Sequence, residues 1–202
     1  MALKIILMFI IAYLLGGINF SIIISRLVKK QDVRELGSGN AGFTNVLRNY
    51  GKGLAAIVFV GDILKTIAAI VISWVIADSA YVTYAAGLGV ILGHNFPLFY
   101  GFKGGKGILT TISTIVLMEP IPGLILIPLS VGIMFLTGYV SLGSIFICLY
   151  FPVVMLILHP NDIPLIIFAF VVCCLGIYMH RGNIKRLLSG TENRFERKKK
   201  NG

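Results

Sequence analysis

From Gly123 to Leu158 the chain runs for 36 residues without one charged side chain. A water-soluble fold has no interior deep enough to hide such a run, whereas a bilayer core of about 30 Å is crossed by roughly 20 apolar helical residues. As one helix the stretch would rise about 54 Å at 1.5 Å per residue. Two short spans turning near Thr137-Gly138-Tyr139 fit better. The whole chain agrees with this reading. Hydrophobic residues make up 57% and charged residues 13% of its 202 positions, and mean hydropathy is +0.92. Soluble domains run at roughly 45–50% and about 25%. A soluble cytosolic enzyme and a disordered chain are both excluded as starting points.

Further apolar runs are Leu3–Ser25, Gly53–Ala77, Ala80–Leu98, Ile108–Met118 and Ile163–Met179. The first is too long for a signal-peptide core, and no small-residue cleavage site follows it. Glu119-Pro120-Ile121-Pro122 stops the short run at Ile108–Met118, because prolines remove donors and disfavour helix before them. The net charge of +10 comes from 18 Lys and Arg against 8 Asp and Glu. Nucleic-acid binding needs a soluble basic face, which this composition does not provide. Basic membrane loops explain the charge instead. Lys and Arg cluster in Arg26–Lys52, at Lys103 and Lys106, and in the tail from Arg181, whereas the other connections hold Asp78, Glu119 and Asp162. The positive-inside rule then puts the N-terminus outside and the C-terminus in the cytoplasm. Both flanks of Gly123–Leu158 fall outside, so that stretch must cross twice. The expectation is an all-α integral membrane protein with seven transmembrane helices, one domain over residues 1–202, and a flexible basic tail at 196–202. On that topology the cytoplasmic segments hold 16 Lys and Arg and 4 Asp and Glu, or +12.

Cys148, Cys173 and Cys174 lie inside apolar runs without metal-ligand spacing, so neither a disulfide scaffold nor a metal is expected. A strained bridge between Cys173 and Cys174 is the alternative.

Three polar segments fall on the cytoplasmic side. In Gly37-Ser38-Gly39-Asn40-Ala41-Gly42-Phe43-Thr44-Asn45-Val46-Leu47-Arg48, glycines let amides form an anion-binding concavity. Ser38, Thr44 and Asn45 add donors, Arg48 adds a planar fork suited to phosphate, and Thr44 and Arg48 share a helical face. A flexible, solvated linker is the plainer alternative. Gly101-Phe102-Lys103-Gly104-Gly105-Lys106-Gly107 opens onto the short run at Ile108, where amides, a helix dipole and two lysines favour an anion. It is not a Walker loop, because Tyr100 stands where that motif needs Gly. A basic turn on lipid headgroups is its alternative. The third segment, His180-Arg181-Gly182-Asn183-Ile184-Lys185-Arg186 with Gly190-Thr191-Glu192, puts His180 and Asn183 on one face if the last helix continues. A lone interfacial His is more often a packing group than a catalyst. Asp62 and Lys65, at i,i+3 inside the second span, are either functional or a mutually neutralising pair. His94, at the end of the third span, either lines the site or caps its helix, and capping and packing is the favoured reading. Whether Val33–Leu36 lies on the surface as a helix is open.

Three anion-binding segments on one face beside an aliphatic interior suggest a substrate with phosphate at the surface and a hydrocarbon tail in the bilayer. That leaves acyl or alkyl transfer, or passage of an anionic solute. At these residues the sequence resembles the acyl-phosphate:glycerol-3-phosphate acyltransferases of bacterial phospholipid synthesis, over nearly the whole chain. The resemblance is carried by Gly37–Asn40 with Thr44, Asn45 and Arg48, by Gly93-His94 with Pro97 and Gly101–Gly107, and by His180-Arg181 with Asn183, Arg186-Leu187-Leu188, Gly190 and Glu192. Phe43 departs from it, standing where the family more often has a small residue. No His has the His-x4-Asp spacing of the acyl-CoA and acyl-carrier-protein dependent enzymes.

The resemblance implies transfer of a fatty acyl group from acyl phosphate to the 1-hydroxyl of glycerol 3-phosphate, giving lysophosphatidate and phosphate. It implies catalytic roles for Ser38, Arg48, Lys106, His180 and Asn183. Substrate-binding roles fall to Gly37, Gly39, Asn40, Thr44, Asn45, Lys103, Gly104, Gly105 and Gly107, with Glu192 structural. Acyl phosphate already has a good leaving group, so direct transfer needs only positioning and oxyanion stabilisation. His180 or a substrate phosphate would take the hydroxyl proton. The partners implied are acyl phosphate, glycerol 3-phosphate and membrane lipids, with no nucleic acid, no cofactor and a monomer compatible with the sequence. The location implied is the bacterial inner membrane. A transporter for a phosphorylated solute is the competing class, favoured only by Asp62 and Lys65, since no internal repeat pairs the halves. A non-catalytic lipid-binding scaffold leaves the loops unexplained.

Overall fold

The computed structural model describes residues 1–194, which contain helices and no strand. The described chain forms two compact units, Met1–Met118 and the segment from Glu119 onward. The basic run expected to be flexible, 196–202, lies outside the described residues.

In the first unit the apolar run at the N-terminus is not one helix. It breaks into α1 (Ala2–Gly16) and α2 (Phe20–Lys29). Asn19 causes the restart: its side chain accepts the Ile22 amide at 3.1 Å, an N-cap that satisfies an amide helices leave open. A 3-10 turn at Val33–Glu35 follows, and then α3 (Phe43–Tyr50), α4 (Lys52–Ile76), α5 (Ala80–Asn95) and α6 (Ile108–Met118). Helices α1 and α5 meet along glycine. A Cβ on Gly93 would run into the Tyr13 carbonyl, and one on Gly89 would come within 2.6 Å of the Phe9 carbonyl. Hydrophobic driving force is absent between helices in lipid, so such close backbone approach is what holds them. Under the first polar loop, Ile22, Val33, Ala41, Val46, Ala55 and Val58 form a buried cluster. It gives that loop a packed floor.

The second unit contains α7 (Pro120–Thr137), α8 (Val140–Leu158), α9 (Ile163–Met179) and α10 (Arg181–Leu188). The uncharged stretch turns where its sequence predicts: α7 ends at Thr137, and Gly138 caps it at φ 77°. Pro120 begins α7 rather than merely ending the helix before it, since the first helical position needs no amide donor. Gly176 lets α9 close onto Cys148 of α8.

Five segments are long and apolar enough to cross a membrane: α1 with α2, α4, α5 with the turn after it, α7 and α8. A sixth is the pair α9 and α10, bent by 58°. Helix α6, expected as a span, has only 11 residues.

Candidate active site

The first loop is built around Asp32 and Asn45. Asp32 takes Arg26 at 2.8 Å and Arg34 at 2.9 Å. Hydrogen bonds from Arg34, aided by Arg26, hold its carboxyl well below the ordinary value of 3.8. Arg34 then reaches across to the glycine loop, where Nη1 donates to the carbonyls of Tyr100 at 2.8 Å and Lys103 at 2.9 Å. Arg34 was not singled out in the sequence as a site residue, because these two partners lie 66 and 69 positions away. The Asn45 amide group donates to the Val33 and Leu36 carbonyls and accepts from the Ser38 amide and from Asn49. Two donors and two acceptors are thereby all used. Asn45, 1% exposed, fixes the turn that presents Ser38. Ser38, Gly37, Gly39 and Arg48 are exposed, and Asn40 and Thr44 are half-buried. Phe43 turns towards α4, its ring meeting Phe59 edge-on at 5.6 Å, so the bulky residue packs beneath the loop.

The glycine loop folds back on the end of α5. Gly104 donates its amide to Asn95 O at 3.0 Å and Gly105 to His94 O at 3.1 Å. Those two amides are spent within the protein and do not point into a free concavity. A Cβ on Gly105 would strike His94 Nε2, and Gly107 turns at φ 73° against Asn95. Glycine is required by that proximity. Lys103 is exposed and Lys106 half-buried. A cleft of about 500 Å³ lies between the two loops, lined by Arg34, Gly39, Tyr100, Lys103 and Gly104 among others.

Asp62 and Lys65 are a buried ion pair at 2.7 Å, and a third member joins them: His94 Nδ1 lies 2.9 Å from Lys65 Nζ. The ammonium also donates to the carbonyls of Gly16 and Ile18, both at 3.0 Å. These carbonyls flank the break between α1 and α2. His94 is therefore not a simple cap.

In the second unit the last helix does not continue past His180. It bends there, and Asn183 lies on α10. His180 and Asn183 are both buried, 2% and 6% exposed. His180 Nδ1 lies 2.8 Å from the Gly176 carbonyl, which can only accept, so Nδ1 carries a proton. In the neutral ring Nε2 is then the basic nitrogen. Past Gly190 the chain folds back through the Thr191 amide on Arg186 O, and Glu192 reaches Asn183 at 2.6 Å and Arg186 at 2.7 Å. Burial pushes the Glu192 carboxyl up, but hydrogen bonds from Asn183 and Arg186 outweigh it and leave it below 4.5.

Known proteins resemble this chain in sequence and fold. The family model described as glycerol-3-phosphate acyltransferase matches residues 6–190. A glycerol-3-phosphate acyltransferase of Halalkalibacterium halodurans is 40% identical over 193 residues, covering 93% of this chain and 94% of that protein. One from Thermoanaerobacter pseudethanolicus is 43% identical over 189 residues, covering 94% of each. The crystal structure of PlsY (YgiH), an integral membrane glycerol 3-phosphate acyltransferase, in its glycerol 3-phosphate form superposes with a TM-score of 0.88. That match is at 38% identity and covers 95% of this chain and 96% of that one. The lysophosphatidic acid form of the same protein gives 0.84 at the same identity.

Proposed function

This chain belongs to the glycerol-3-phosphate acyltransferase family, and from that premise we propose that it transfers a fatty acyl group from acyl phosphate to the 1-hydroxyl of sn-glycerol 3-phosphate. The products are lysophosphatidate and phosphate, and the step is the first acylation of bacterial phospholipid synthesis. The observation that carries the reading is likeness to a structure that exists in both glycerol 3-phosphate and lysophosphatidic acid forms, at 38% identity over nearly the whole chain. Seven crossings, with α6 as a short one, put every polar loop of the site on the cytoplasmic face of the inner membrane.

Ser38, exposed on the Asn45-held turn, and the fork of Arg48 take the acyl-phosphate group, with Gly37, Gly39, Asn40 and Thr44 around it. Lys103 and Lys106 neutralise glycerol 3-phosphate at the glycine loop, whose Gly104, Gly105 and Gly107 give it its shape. Asn183, held by Glu192, orients the hydroxyl, and His180 Nε2 accepts its proton as oxygen attacks the acyl carbon. The carbon–phosphate oxygen bond breaks and phosphate leaves, so no covalent enzyme intermediate is needed. The cationic side chains lower the repulsion between two anionic substrates.

The test is to incubate purified protein with acyl phosphate and glycerol 3-phosphate and assay lysophosphatidate. No product, together with uptake of glycerol 3-phosphate into liposomes, would establish the transporter instead. Ser38→Ala should leave no acyl-enzyme to lose; an acyl-serine trapped on the native protein would overturn direct transfer.

A further inference from the structure

Asp62, Lys65 and His94 form a buried chain that the reaction above leaves unused, at 1%, 5% and 4% exposure. An ammonium has three protons. Lys65 has three hydrogen-bond acceptors: Gly16 O, Ile18 O and His94 Nδ1, at 3.0, 3.0 and 2.9 Å. Asp62 Oδ1, 2.7 Å from Nζ, balances the charge. The far edge of the His94 ring, at Nε2, is the one that a Cβ on Gly105 would strike. The same residue's carbonyl holds the Gly105 amide at 3.1 Å, and Ala41 O of the first loop borders the same spot. Ring and backbone of His94 thus both bear on the glycine loop, and Lys65 fixes the ring.

We propose that Lys65 and His94 are positioning residues for the glycerol 3-phosphate subsite: Lys65 ties the break in the first span to the His94 ring, and that ring sets the height of Gly104–Gly105, hence where Lys103 and Lys106 meet phosphate. This rests on the assignment of the glycine loop to glycerol 3-phosphate. A pair serving only to neutralise itself in the membrane would need neither His94 nor the carbonyls of a helix break. Asp62 has the lesser part of holding Lys65 charged.

The experiment uses the detergent-purified full chain and two variants. His94→Asn keeps an oxygen near the place of Nδ1 and removes the edge at Gly105. The pair Asp62→Asn with Lys65→Met removes both charges together, so no lone ion is left buried. Each should raise KM for glycerol 3-phosphate about tenfold, with KM for acyl phosphate within about twofold of wild type. Deuterium exchange of the amides in 101–107 should quicken in both. A purely structural role would lower the yield of folded protein but leave both KM values and loop exchange unchanged, and that result overturns the proposal. Should the double variant fail to fold, His94→Asn alone decides. If wild-type protein makes no lysophosphatidate, the acyltransfer reading is what has failed, and the exchange comparison, which needs no substrate, still decides whether this chain holds the loop.

Discussion

Asn45 Oδ1 accepts the backbone amide of Ser38 at 3.1 Å, so a buried side chain fixes the turn on which Ser38 is exposed. Its other bonds run to Val33 O and Leu36 O. Asn45→Ala leaves the Ser38 amide without its acceptor, a loss of about 1–3 kcal/mol where that amide is shielded from water, and takes one of two donors from the Val33 and Leu36 carbonyls, which keep the amides of Leu36 and Gly39. The expected outcome is a lower melting temperature with a loss of turnover, measured on the same preparation. Asn45→Asp should be worse still, because it sets a carboxylate oxygen against two carbonyls. An aspartate variant of native stability and rate would show that the turn holds itself.

Arg34 is a clamp between loops, and lysine cannot replace it. A guanidinium can serve Asp32 and two carbonyls at once, whereas an ammonium is a point charge on a flexible stem. Arg34→Lys should lower kcat/KM for glycerol 3-phosphate about tenfold. Because the Asp32 carboxyl is held below 3.8 in the fold, its stabilisation is full above that value and is lost only as pH falls through the lowered one. The ratio of wild-type to variant activity should therefore be flat between about pH 8 and 5. A ratio that falls across this range would place the clamp's titration elsewhere.

His180→Ala should reduce kcat about 10²- to 10⁴-fold, the usual contribution of a positioned proton acceptor, while the protein stays folded. Unchanged turnover would pass the proton to a substrate phosphate. The Nδ1 bond to Gly176 sharpens this test: if His180 takes the proton, it does so at Nε2.

Glu192 holds Asn183 and Arg186 with a side chain 6% exposed. Its folded pKa lies below 4.5, so its contribution is present above that value and fades as pH drops through the folded one. Glu192→Gln should lower the melting temperature at pH 7, and the gap to wild type should close in acid. A gap that persists in strong acid would mean the carboxylate charge is not what stabilises the turn.

Much of the fold was legible because lipid imposes simple rules on sequence. The turn at Gly138 follows from an uncharged run too long for one crossing, and the helix boundary at Met118 follows from Pro120. The break at Gly17–Asn19 was not read: Asn19 caps the restart locally, but the Lys65 ammonium that takes the carbonyls beside it lies 49 and 47 positions away. Glycine loops suggested free amides for an anion, yet pattern alone could not show that Gly104 and Gly105 give their amides to α5. The pairing of Asp62 with Lys65 was visible at i,i+3, while His94 as its third member was not. Local chemistry can be read from spacing; long-range polar staples leave no period to find.

The shortness of α6 has a consequence for how the glycine loop feels charge. Eleven residues rise about 16 Å, roughly half of a 30 Å hydrocarbon slab. If the chain crosses there, either the slab is thinned or one end of the helix sits inside a medium of low dielectric constant. Attraction between a lysine and a phosphate at that depth is weakly screened by dissolved salt. Substrate affinity at the loop should then hold up in concentrated salt, where a surface patch of the same charge would let go.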